Sequence, residues 1–226
     1  MDIGKRYLEI RRETPEEVTI VLAAKTRTPR EVAEAIAAGA TDIGENYVQE
    51  AEAARRELGG SADAVRWHMI GTLQTNKINR ALQSCDVIQT IDSFGKAAAV
   101  NSRAEKQAKV IPVYIEINIG GEQAKSGVLP DQESVVKLAS EMSRLAHLRV
   151  EGLMTMGPMT GDPEDSRPHF RKARKLFEAI ARLDMPGIHM KTLSMGMSDT
   201  YRIAVDEGST MVRLGTVVFG PRPPSA

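Results

Sequence analysis

The chain has 226 residues, 30 basic and 30 acidic side chains, 42% hydrophobic and 27% charged residues, and one cysteine. The length suits one large domain or two small ones, and the mixed composition excludes disorder as a description of the whole. A formal net charge of zero excludes bulk attraction to nucleic acid or anionic membrane, and lone Cys85 excludes an intrachain disulfide or a cysteine zinc site. No run approaches the ~20 apolar residues of a membrane span, and the N-terminus lacks a signal-peptide core, so a soluble cytoplasmic protein is expected.

Apolar, β-branched runs alternate with helical stretches along the chain. The first strand is predicted over 18–25 (VTIVLAAK). Thr28, Pro29 and Glu31 form a capping-box start for a helix whose apolar face is Val32, Ala35 and Ile36, with Gly39 as its stop. A short strand at 42–44 leads to a helix over 46–58, ended by Gly59 and Gly60. Strand 66–71 precedes a helix over 75–82, and strand 87–92 a helix reaching about residue 106. In 111–119, Ile111, Val113, Ile115, Ile117 and Ile119 alternate with Pro112, Tyr114, Glu116 and Asn118, which predicts a strand with one aliphatic and one polar face. Pro130 opens a helix carrying Val135, Leu138, Met142 and Leu145 on one side. Strand 150–156 is followed by a helix marked by Phe170, Ala173, Phe177 and Ile180 that ends near Leu183. Strand 191–195 comes next, then a helix capped by Ser198 and stopped at Gly208, and a last strand over 211–219.

Eight strands alternating with helices in this length predict a single closed (β/α)8 TIM barrel, an α/β fold. An open Rossmann-type sheet is the alternative, but no G-x-G-x-x-G follows the first strand. The expected divisions are a helical segment at 1–17, the barrel at 18–220 and a Pro-rich tail at 221–226.

Barrel chemistry sits at the C-terminal ends of the strands. There the first strand ends in Lys25, either a snorkelling surface cation or a buried amine whose lowered pKa suits it to attack carbonyls. Asn46 follows the second strand, and His68 lies in the third, either in the site or as a satisfied structural histidine. Trp67 beside it should face the outer helices. Tyr114, Glu116 and Asn118 should face the barrel interior, and Lys125 lies in the loop after them. Ser194 and Gly196 stand in the turn SMGMS (194–198), and Arg213, Gly215 and Thr216 end the eighth strand. Loops after strands seven and eight frequently bind phosphate in barrels, through amides at helix N-termini.

The sequence resembles the pyridoxal phosphate homeostasis proteins, single-domain relatives of the N-terminal barrel of alanine racemase. The resemblance runs from about residue 18 to 220. It rests on Ala24-Lys25-Thr26, GENYVQE (44–50), WHMIG (67–71) with LQTNK (73–77), Lys125-Ser126-Gly127, Gly152-Leu153-Met154, LSMGMSD (193–199) and GSTMVRLGT (208–216). By resemblance, Lys25 would hold pyridoxal 5′-phosphate (PLP) as a Schiff base. Ser194, Gly215 and Thr216, with amides near Gly196, would hold the phosphate. Arg213 would face the pyridine nitrogen, Asn46 would lie near the ring, and His68 and Lys125 would line the pocket. The N-terminal helical segment reads as shortened, and alanines precede Lys25 where a serine is common in the family.

A guanidinium only donates, so the ring nitrogen facing Arg213 would stay unprotonated and the ring would be a poor electron sink. The chain ends six residues after Gly220, so no second domain is expected to bring the acid–base tyrosine that the full racemases use. The resemblance therefore implies little or no catalysis and a role in PLP buffering or delivery. PLP-dependent apo-enzymes would be the recipients, with neither nucleic acid nor membrane as partner, and the chain would be a monomer or weak homodimer. The alternatives are a weak amino-acid racemase using Lys25 and Tyr201, and a cofactor-free Schiff-base aldolase.

Overall fold

A computed structural model describes residues 2–121, 126–157 and 161–221. Its strands β1 (Thr19–Ala23), β2 (Asp42–Glu45), β3 (Arg66–Met69), β4 (Val87–Ile91), β5 (Ile111–Glu116), β6 (Leu148–Met154), β7 (Ile188–Ser194) and β8 (Met211–Leu214) pair in parallel in chain order. Strand β8 pairs with β1, Val21 opposite Arg213, and closes the barrel. The expected (β/α)8 architecture is thus the observed one. The described helices are α1 (Ile3–Glu13), α2 (Pro29–Ala37), α3 (Val48–Leu58), α4 (Ile78–Ser84), α5 (Phe94–Lys106), α6 (Gln132–Met142), α7 (Arg167–Ala181), α8 (Tyr201–Asp206) and α9 (Thr216–Phe219). None of them is long and apolar enough to cross a membrane.

Two separate apolar layers follow from the period of two along each strand. Val21, Val87, Tyr114, Met154 and Met211 point inward and fill the barrel. Leu22, Ile43, Trp67, Ile88, Ile115 and Leu193 point outward and join the helices in one continuous core. Trp67 is fully buried in that outer layer, its Nε1 donating to the Ala62 carbonyl at 2.9 Å and the Arg55 guanidinium lying over its ring. Thr28 and Glu31 form the expected capping box at the start of α2.

Local signals misplace several boundaries. The run predicted as one strand over 211–219 divides: β8 stops at Leu214, and Thr216–Phe219 is the short helix α9, with Val218 and Phe219 buried. Its β-branched composition favours a strand, but burial decides the conformation. Ser198 does not cap α8, which starts at Tyr201 behind Thr200. Asp131, not Pro130, opens α6, accepting from the Ser134 amide. The helix expected over 75–82 begins as a 3-10 turn, Thr75–Lys77, before α4. Strand β1 ends at Ala23, which leaves Lys25 two residues beyond it in the turn to α2. Of the tail at 221–226, all but Pro221 lies outside the described residues.

Cys85, just past α4, is 6% exposed, and burial pushes its thiol up to about 12. A thiol held protonated reacts slowly. Native protein near neutral pH should therefore resist iodoacetamide, and denatured protein should take up one equivalent. Labelling of the native form at the free-thiol rate would contradict this burial.

Candidate functional site

The turn after β1 is built tightly. The Ala24 amide donates to the Gly44 carbonyl at 2.9 Å, and the Arg27 amide closes the turn onto the Ala24 carbonyl at 2.8 Å. Thr26 is forced to φ 66°, a left-handed conformation rare for a β-branched residue. The half-buried Lys25 side chain places its ammonium 5.3 Å from the centre of the Tyr47 ring. Arg27 donates to the Phe219 and Gly220 carbonyls at 3.3 and 2.5 Å and stacks over the Phe219 ring. The lysine turn is thereby fastened to the segment that follows β8.

Asn46, half-buried, continues β2 against Gly71. A Cβ on Gly71 would lie 2.3 Å from the Asn46 carbonyl oxygen, so only glycine permits this approach. Asn46 and Tyr47 also form one wall of a cleft of about 370 Å³, with Gln49, Thr72, Gln74 and Lys77 among its other polar lining groups.

The loops after β7 and β8 meet at Ser198. Its Oγ accepts from the Gly215 amide at 3.2 Å and the Val217 amide at 3.3 Å. Gly196 adopts φ 93°, and a Cβ there would lie 2.5 Å from that of Ala204. Its carbonyl accepts from the Arg213 amide at 3.0 Å, which ties the first loop to β8. Gly215 lies against the Ala23 carbonyl, and Thr216 is exposed at the start of α9. Backbone donors and the Lys25 turn thus share one end of the barrel.

Arg213 lies deeper, at 5% exposure. Its Nη1 donates to the Ser194 carbonyl at 3.0 Å and to Ser194 Oγ at 2.7 Å, and Nη2 to the Thr155 carbonyl at 2.8 Å. Burial pulls its pKa down to about 10, opposed by Glu116, so the guanidinium stays charged at neutral pH. Glu116, inward on β5, is pushed up to about 7 by burial and the Asp92 charge, against the pull of Lys96 and Arg213, and its Oε2 has no partner.

A second buried carboxyl, Glu45 at the end of β2, is pushed up to about 8, first by burial and then by the Glu50 carboxylate beside it. A folded pKa above the unfolded value makes the folded state hold a proton the unfolded chain has released. This contribution is therefore complete below about pH 4.5 and is lost as pH rises toward about 8. Glu45→Gln keeps the neutral form at every pH. Its melting temperature should exceed that of the wild type increasingly across that window, and parallel curves would refute the assignment.

Several residues expected in the site are placed elsewhere. His68 does not line the pocket: it is fully buried inside the barrel, with Nε2 2.8 Å from Asp42 Oδ1 and Nδ1 2.9 Å from Gln89 Nε2. Burial holds its pKa low against the pull of Asp42. The Ser194 hydroxyl is committed to Arg213 and, at 2.8 Å, to Gln89, so it is not free for the loop end. The serine among the loop amides is Ser198, which was missed because it reads equally well as a helix cap. Gln89 and Thr155 gave no sequence signal, since each acts through partners far away in the chain. Lys125 lies outside the described residues.

A closed parallel barrel with a lysine turn and donor-rich loops at one end is a barrel of the alanine racemase type, and the alanine racemase N-terminal domain model matches residues 3–223. The chain is 39% identical over 200 residues to the pyridoxal phosphate homeostasis protein of Aquifex aeolicus, covering 88% of this chain and 85% of that one. With the Escherichia coli K12 protein of the same name it shares 38% over 213 residues, covering 92% and 88%. PipY of Synechococcus elongatus, solved with PLP bound, superposes with a TM-score of 0.87 at 29% identity, covering 96% of this chain and all of that one. The chain belongs to the pyridoxal phosphate homeostasis protein family.

Proposed function

We propose that this protein binds PLP at the C-terminal end of the barrel, with Lys25 as the amine for a Schiff base, and serves to hold and hand on the cofactor with little or no catalysis. The observation that carries the reading is the fastening of the Lys25 turn to the loops around Ser198, which brings an amine and backbone donors together. Bound PLP supplies an aldehyde and a phosphate dianion. The donor set fits both: the Lys25 amine for the aldehyde, and for the phosphate the Ser198 hydroxyl, whose oxygen is held by the Gly215 and Val217 amides and whose hydrogen is left to give. Ser198, Gly215 and Thr216 would take the phosphate, with the amides near Gly196. Asn46 would lie beside the ring, and Lys125 would line the pocket.

Arg213 has its Nε–H and one Nη2–H outside the bonds described above. Those groups can only donate, so a ring nitrogen facing them remains an acceptor and the ring a weak electron sink. This favours storage over amino-acid chemistry. Tyr201, the acid expected under the racemase reading, interacts instead with Arg202 and Glu13, whose side chains are 72% and 54% exposed in the outer layer. Delivery to PLP-dependent apo-enzymes and cytoplasmic residence belong to the same proposal.

The test is the visible spectrum of purified protein, with borohydride reduction and peptide mapping. A yellow protein with the reduced cofactor on Lys25 supports the proposal. Protein that stays colourless and unlabelled in excess PLP overturns it and brings the aldolase reading forward.

A further inference from the structure

Side chains from five strands form one unbroken hydrogen-bonded chain through the barrel. Arg213 Nη1 meets Ser194 Oγ at 2.7 Å, Ser194 Oγ meets Gln89 Oε1 at 2.8 Å, and Gln89 Nε2 meets His68 Nδ1 at 2.9 Å. His68 Nε2 meets Asp42 Oδ1 at 2.8 Å, and Asp42 Oδ2 accepts from Thr41 Oγ1 at 2.7 Å. Ser194, Gln89 and His68 are wholly buried, and Asp42 and Arg213 nearly so.

Donor and acceptor chemistry gives this chain one direction. An amide nitrogen has only hydrogens to offer, so His68 Nδ1 must present its lone pair. The imidazole proton is then on Nε2, where it is given to the Asp42 carboxylate. Burial would raise the Asp42 carboxyl, but the hydrogen bond from His68 outweighs this, with Thr41 and Arg66 adding to it, so it stays ionised. With its nitrogen turned to His68, Gln89 offers Ser194 an oxygen. The Ser194 hydroxyl must therefore donate to Gln89, which leaves its lone pairs for Arg213.

Reversing the amide would demand a proton on both His68 nitrogens, in a site where burial disfavours the imidazolium. Of the charged groups around His68, Asp42 on β2 and Asp86 just before β4 favour the imidazolium and Arg66 on its own strand β3 opposes it, and burial outweighs the two carboxylates. The reversed amide would also leave the Ser194 hydrogen without its acceptor.

The geometry points to Asp42, His68 and Gln89 as positioning residues for Arg213, which set from the far side of the barrel the acceptor that holds its guanidinium. This inference rests on Arg213 being a PLP-binding residue. Ser194 and Thr155 anchor the two ends of the guanidinium, and the directed chain keeps the first anchor in its accepting state.

The test combines a cofactor-free and a cofactor-dependent measurement. Long-range proton–nitrogen NMR of the histidine-labelled apo-protein should show neutral His68 with its proton on Nε2 and a bare Nδ1. Gln89→Glu, of the same shape and, once ionised at alkaline pH, with no hydrogen to give, should then move a proton onto Nδ1. Gln89→Met, of similar length, cuts the chain without adding charge. It should weaken PLP retention about tenfold, the equivalent of one buried hydrogen bond, and shift the pH midpoint of the visible band. A wild-type Nδ1–H tautomer, or an unchanged His68 in ionised Gln89→Glu, overturns the inference. So does a folded Gln89→Met protein with wild-type retention and pH profile. Wild-type protein that takes up no PLP overturns instead the binding reading beneath it. Should Gln89→Met fail to fold, the tautomer measurements still decide the direction of the chain.

Discussion

Lys25→Ala should give a folded barrel whose hold on PLP is weaker by on the order of 100-fold, about 2.7 kcal/mol, with no visible band. The side chain is half-buried and its ammonium sits over the partly exposed Tyr47 ring. Such a contact contributes about 0.5–1 kcal/mol, so the melting temperature should fall by only a few degrees. Losing the amine while keeping the loops around Ser198 leaves a site for the phosphate alone. Equilibrium dialysis with PLP, read beside the spectrum, separates the two contributions. A variant that remains yellow would place the reactive amine elsewhere, and Lys77 in the neighbouring cleft would be the next residue to replace.

Arg213→Leu should be costly in both stability and binding. The Ser194 and Thr155 carbonyls and Ser194 Oγ would lose their donor in the dry interior. Buried Glu116, whose Oε2 is already without a partner, would lose the cation that moderates its charge. Unpaired buried groups of this kind cost roughly 3 kcal/mol together, or about 6–12 °C of melting temperature in a chain of this size. The Glu116 pKa should rise further, so the loss should be larger at alkaline than at acid pH. Thermal melts across pH, with PLP binding measured well below the transition, test both parts. A variant that melts like the wild type would mean that the leucine packs well enough to replace the buried cation.

The alternation of strand and helix was legible because period two and period 3.6 are written in near neighbours. So was the orientation of β5, where aliphatic and polar residues take turns: Val113 and Ile115 join the outer core while Tyr114 fills the barrel. Lys25 could be located because a cation ending an apolar run is conspicuous at any distance from its partners. His68 was assigned to the right face of its strand. Whether it lines a site or is a satisfied structural histidine could not be read locally, since a residue's depth in the barrel depends on stagger between strands. Ser194 and Ser198 are four residues apart in one motif, and nothing local tells which of them meets Arg213 and which meets the loop amides.

By itself the sequence determined the class of fold, the capped start of α2, the inward face of β5 and the position of the candidate lysine, all of which depend on side chains close together in the chain. Only the tertiary structure decided that 216–219 is helical, that Ser198 receives the Gly215 and Val217 amides, and that Arg213 is linked to Asp42. That link joins residues separated by 19, 105, 21 and 26 positions. Their meeting is set by the register of strands around a closed barrel, a geometric condition on the whole sheet that no local stretch of the chain contains.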